Sequence, residues 1–73
     1  MKKNVHVVPR DGDWAVRREG AQRDSSHHQT QSAAIQAARQ TARRESTELF
    51  IHGRNGQIRE RDSFGNDPYP PKG

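Results

Sequence analysis

The sequence predicts an α+β fold: a single ββαββ domain with one helix packed on one face of a four-stranded antiparallel sheet. Two pairs of short alternating segments each enclose a strong turn dipeptide, Asp11-Gly12 and Asn55-Gly56, and an alanine-rich stretch with helical spacing lies between them. At 73 residues the chain has room for one small domain.

The first hairpin is read from Val5-His6-Val7-Val8-Pro9 and Trp14-Ala15-Val16-Arg17, which alternate β-branched or aromatic residues with others. With Asp11-Gly12 as a two-residue type I′ loop, Arg10 pairs with Asp13, Pro9 with Trp14, Val8 with Ala15, Val7 with Val16 and His6 with Arg17. Paired residues share a face. Val5, Val7, Trp14 and Val16 therefore fall on one side, and His6, Val8, Ala15 and Arg17 on the other.

Gly20 to Gln29 is polar and aperiodic, which reads as loop. Thr30 then suits an N-cap, and a helix is expected from about Gln31 to Glu45. Ala34, Ile35, Ala38 and Ala42 form a narrow apolar stripe, with Gln36, Arg39, Gln40 and Arg43 on the opposite side. Alanine favours the helix and lets it lie close on a sheet.

Asn55-Gly56 marks the second hairpin. As a two-residue loop it pairs Arg54 with Gln57, Gly53 with Ile58, His52 with Arg59, Ile51 with Glu60 and Phe50 with Arg61. Leu49, Ile51 and Ile58 then share one face, while Phe50, His52, Arg59 and Arg61 share the other. Residues 1–62 make the domain, and residues 63–73 an irregular Pro/Gly-rich tail that either docks in a partner's groove or folds back with Phe64 and Tyr69 on the open sheet face.

The expected core is Val5, Val7, Trp14, Val16, Ile35, Ala38, Ala42, Leu49, Ile51 and Ile58. Val, Ile, Leu and Phe together are about 14% of the chain, so burial only just offsets chain entropy, and a strained catalytic cavity is not expected. There is no cysteine, hence no disulfide framework or thiolate metal site, and no apolar run approaches the roughly 20 residues of a membrane span. Met1-Lys2-Lys3 leads into an alternating segment without a signal-peptide core, which gives a cytoplasmic expectation.

The hairpin Val5–Val16, the Thr30-Gln31 helix start, and above all the run from His52-Gly53-Arg54-Asn55-Gly56 through Asp62-Ser63-Phe64-Gly65-Asn66-Asp67-Pro68 resemble the short bacterial family catalogued as domain of unknown function 2188. That family often has Asp where this chain has Asn55, and Tyr where it has Phe64; neither change disturbs the turn or the aromatic character. The resemblance covers nearly the whole chain. It implies a freestanding small bacterial protein, and it brings no catalytic residue and no cofactor.

Thirteen Lys and Arg against nine Asp and Glu leave a net charge of +4. The expected open face gathers His6, Arg17, Phe50, His52, Arg59 and Arg61, arginines around an exposed aromatic, which suits phosphates and bases. A merely solvated polar face with edge-guarding arginines is the structural alternative. Protonation of His6 and His52 changes the charge of that face by up to two units. His27-His28 with Asp24 lacks metal-site spacing, and Ser25-Ser26 beside the histidines lacks an orienting group and an oxyanion site. Asp62 and Asp67 read as turn carboxylates. The expectation is a non-enzymatic binding module without cofactor or metal, contacting nucleic acid through Arg17, Phe50, His52, Arg59 and Arg61. The alternative is a protein-interaction or homodimerisation module that uses the same face or a sheet edge.

Overall fold

A computed structural model describes residues 3–64. The elements are β1 (Val5–Arg10), β2 (Asp13–Arg18), β3 (Asp24–His28), α1 (Gln31–Glu45), β4 (Glu48–His52) and β5 (Ile58–Ser63). They form one five-stranded sheet in the order β3-β2-β1-β4-β5, with α1 across one face. The α+β class holds, but the expected four-stranded antiparallel sheet of a ββαββ chain is corrected on two counts.

The first correction is β3, which lies within the segment read as loop. Asp24-Ser25-Ser26-His27-His28 carries no apolar alternation, and it becomes a strand because β2 offers a free edge: Trp14 pairs with His28, Ala15 with His27 and Val16 with Ser26 before a bulge. The second correction follows from the first. A third strand before the helix reverses the chain once more, so β4 enters parallel to β1, with Val5 opposite Leu49, His6 opposite Phe50 and Val7 opposite Ile51. This parallel ladder stops short of Pro9, which has no N–H to donate.

The first hairpin has the expected register from Arg10–Asp13 to His6–Arg17. Asp11 and Gly12 take φ of 53° and 86°, the left-handed pair that a type I′ loop needs. Helix α1 keeps its expected limits. Thr30 Oγ1 accepts the Ala33 N–H at 3.1 Å, and at the other end the Thr47 N–H donates to the Ala42 carbonyl at 2.9 Å around a left-handed Ser46.

The core lies between sheet and helix: Val5, Val7, Trp14, Val16, Ala34, Ala38, Ala42, Leu49 and Ile51. Ile35, expected inside, is only partly buried, and Ala34 takes its place. Ile58, also expected inside, is 57% exposed. Strand β5 extends through Ser63, one residue into the segment expected to be irregular. Phe64 then donates its N–H to the Thr47 carbonyl at 3.1 Å and packs against the core, with the Arg43 guanidinium 5.7 Å from its ring centre. It lies on the helix side and not on the open face; Tyr69, its expected companion, is outside the described residues.

Candidate nucleic-acid interface

The face opposite α1 is built by register. Arg17 on β2 pairs with His6 on β1, His6 with Phe50 on β4, and Phe50 with Arg61 on β5. Asp24 on β3 pairs with Arg17 and completes a row with one side chain per strand. Neighbouring strands lie about 4.8 Å apart, so the Arg17 and Arg61 backbones are separated by about 14 Å. Neither arginine has a carboxylate within ion-pair distance among the described residues. Arg17 Nη2 instead donates to the Ala21 carbonyl at 2.6 Å, which directs its head toward the β2–β3 connection.

The rings in this row stand side by side. His6 and Phe50 are stacked at 5.1 Å between centroids with planes 23° apart, and the Arg61 guanidinium lies 6.0 Å from the Phe50 centroid. Since β4 runs between β1 and β5, Phe50 has the imidazole on one flank and the guanidinium on the other. Its faces are already occupied. What the row offers to solvent is N–H donors and ring edges, a surface suited to anionic oxygens rather than to stacked bases.

His52 sits two residues beyond Phe50 along β4, on the same face. Its Nδ1 lies 3.0 Å from the Gly56 carbonyl and its Nε2 lies 3.0 Å from His6 Nδ1. The two ring centres are 5.3 Å apart, so the nitrogens meet head-on as in an N–H···N hydrogen bond, not side by side as two lone pairs converging on an ion. Burial, followed by the nearby His52 charge, holds the His6 pKa below its ordinary value; Glu19 opposes the shift and Arg17 adds to it. A shallow depression of about 320 Å³ opens between His6, Val8, Arg17, Glu19 and His52.

Arg59 does not join this face. The second hairpin closes with a three-residue loop, Arg54-Asn55-Gly56, in which Gly56 at φ 88° donates to the Gly53 carbonyl at 2.9 Å while the Gly53 N–H donates to Gln57 at 2.7 Å. His52 therefore pairs with Ile58, and Arg59 is the extra residue before Glu60 rejoins the expected register opposite Ile51. Arg59 Nη1 donates to Gln31 Oε1 at 3.3 Å, on the helix side. There it borders a second depression of about 310 Å³ with Trp14, Gln31 and Arg54, whose guanidinium lies 5.4 Å from the Trp14 ring centre. The bulge also sends Ile58 to the open side. Of the expected site residues, the fold unites Arg17, Phe50, His52 and Arg61, adds His6 as their link, and removes Arg59.

Of the residues weighed for other chemistry, Asp62 lies on β5 and pairs with Arg39 at 3.0 Å, Asp67 is outside the described residues, and the serines and histidines with Asp24 fall on the β3 edge. Ser26 Oγ is 2.9 Å from His28 Nε2, but among the described residues the carboxylate contact in this segment belongs to His27, whose Nε2 is 3.1 Å from Asp24 Oδ2. Among the described residues no group of three or more His, Cys, Asp or Glu is placed to hold a metal ion. No described helix is long and apolar enough to cross a membrane.

No solved structure matches the chain at a significant level. The chain is 33% identical over 66 residues to the uncharacterized protein YdaT of Bacillus subtilis (strain 168), covering 90% of this chain but only 44% of that relative's length. The family described as "uncharacterized protein conserved in bacteria" (DUF2188) matches residues 5–64, from the start of β1 to the aromatic that follows β5, and the chain belongs to this family.

Proposed function

We propose that this protein is a non-enzymatic binding module whose open sheet face grips the phosphate backbone of nucleic acid. The observation that carries this reading is the cross-strand row in which Arg17 and Arg61, without carboxylate partners among the described residues, flank His6 and Phe50. Guanidinium groups bind phosphate oxygens through paired N–H donors, and two held on different strands present them at a fixed spacing. Because the Phe50 ring is flanked on both sides, binding depends on backbone charge and discriminates little between bases. The net charge of +4 supports encounter with a polyanion.

A protein-interaction role for the same face is favoured by one observation, the 57% exposure of Ile58 beside His52. Pairing of β5 with a second copy of itself is disfavoured by charge. Antiparallel pairing centred on Arg61 sets arginine against arginine and Glu60 against Asp62, and centring on Glu60 brings two carboxylates together.

The test is a fluorescence-anisotropy titration with labelled single-stranded and duplex oligonucleotides at low and physiological salt, run beside light scattering for mass. Binding that weakens steeply with salt and is lost in Arg17→Glu/Arg61→Glu supports the reading. Absence of binding at low salt discards it, and a dimeric mass then assigns the face to self-association.

A further inference from the structure

We propose that the chain of hydrogen bonds from His6 through His52 to the Gly56 carbonyl is a one-proton switch that strengthens anion binding on the open face as pH falls. This inference rests on the nucleic-acid reading above. A carbonyl oxygen only accepts, so His52 must donate to Gly56 through Nδ1–H. The neutral ring then carries its lone pair on Nε2, and His6 Nδ1–H donates into it at 3.0 Å. His6 Nε2 is left as the basic nitrogen of the pair.

A first proton therefore enters at His6 Nε2, every hydrogen bond of the chain survives, and the single charge is shared across the His6 Nδ1–His52 Nε2 bond. A second would need the lone pair on His52 Nε2 and would set two donors head to head at 3.0 Å. The pair gains one charge over a range in which two independent histidines gain two. The gain falls on the His6–His52 pair, beside Arg17 and Phe50.

The surroundings set when that charge appears. Partial burial of His6 opposes its protonation most and a charge on His52 next, Glu19 after β2 favours it, Arg17 from β2 and Arg61 from β5 oppose it, and Glu48 stands on the same face of β4; the Phe50 and Val8 neighbours are neutral. The balance places the switch below the ordinary histidine value when the face is empty. A phosphate backbone lying across the row from Arg17 to Arg61 supplies the countercharge, so binding raises proton affinity and protonation raises binding by the same factor.

The experiment has two readouts on the whole chain. Imidazole nitrogen NMR without nucleic acid is expected to find both rings as the Nδ1–H tautomer at about pH 8, and only His6 Nε2 taking a proton by about pH 5. Anisotropy with labelled oligothymidylate is expected to give affinity rising about fivefold over that range at about 0.1 M salt, with a salt slope steeper by about 0.7. His6→Asn flattens the pH profile. An Nε2–H tautomer at either ring, equal titration of both rings, or a pH profile unchanged by His6→Asn overturns the switch. Should oligothymidylate fail to bind at any pH while the NMR behaves as expected, the nucleic-acid reading fails and the switch falls with its premise, a result distinct from failure of the hydrogen-bonded pair itself.

Discussion

The Arg10 guanidinium reaches across β2 and donates two hydrogen bonds to the Asp24 carboxylate, Nε to Oδ2 at 2.9 Å and Nη2 to Oδ1 at 2.8 Å. His27 approaches the same carboxylate at 3.1 Å. Beneath this cluster Ala15, on the otherwise open face, has no exposed surface. The ion pair thus clips the polar edge strand β3 to the sheet. Asp24→Asn is expected to cost about 1 kcal/mol, since the pair is bidentate but partly solvated. Amide hydrogen exchange is the discriminating measurement: protection should drop in β3 while β1 and β4 keep theirs, and uniform loss would deny β3 this dependence.

A charge-reversal comparison separates the two arginines that alternation alone puts together. Arg61→Glu should abolish oligonucleotide binding, whereas Arg59→Glu, on the helix side against Gln31, should weaken it no more than the loss of general charge requires. Equal effects from the two variants would mean that the helix side also contacts the ligand.

The contrast between these residues explains what was legible in the sequence and what was not. Asp11-Gly12 admits one tight loop and so fixes every pair from Arg10–Asp13 to His6–Arg17, and with it the Arg17–His6 half of the row. Asn55-Gly56 admits both a two-residue loop and a three-residue loop with Gly56 in the left-handed position. That choice of one residue moved Arg59 and Ile58 to opposite faces while leaving Phe50–Arg61 untouched. Strand β3 was illegible for another reason: its pairing energy lies in backbone bonds to β2 and in the long-range Arg10–Asp24 contact, neither of which leaves a periodic trace in Asp24-Ser25-Ser26-His27-His28. The His6–His52 bond required the parallel placement of β1 beside β4, which depends on β3.

Thr47 offers a stabilising change. The residue is 4% exposed, and among the described residues its Oγ1 has no hydrogen-bond partner, although its backbone N–H and carbonyl are both engaged. A buried hydroxyl without a partner carries its desolvation penalty, while a methyl of the same shape does not. Thr47→Val should raise stability by about 1 kcal/mol in denaturant melts; a loss of stability would show that the hydroxyl is satisfied after all.

Phe64 belongs to the packed domain, one residue past β5. It is half-buried against the core, under Arg43, and its N–H closes onto Thr47. Phe64→Ala is expected to cost about 1.5 kcal/mol, and Arg43→Ala a few tenths through the lost cation–π contact. Chemical denaturation of both variants tests this, and a neutral Phe64→Ala would place the ring outside the folded unit.

Acid should destabilise the fold in two separable steps. His6 is held below its ordinary value of 6.5, chiefly by burial, so the folded state favours the neutral ring. Its contribution is complete above 6.5 and is lost as pH falls from there toward the depressed folded value, because the unfolded chain takes up the proton first. Asp24 is held below its ordinary 3.8, chiefly by the hydrogen bond from Arg10, so its contribution persists to lower pH and disappears only as the carboxylate itself is protonated. Thermal melts across this range should show the upper step removed by His6→Asn and the lower step reduced by Asp24→Asn. If His6→Asn leaves the upper step in place, the loss belongs to another histidine, and the imidazole on the open face is not held neutral by the fold.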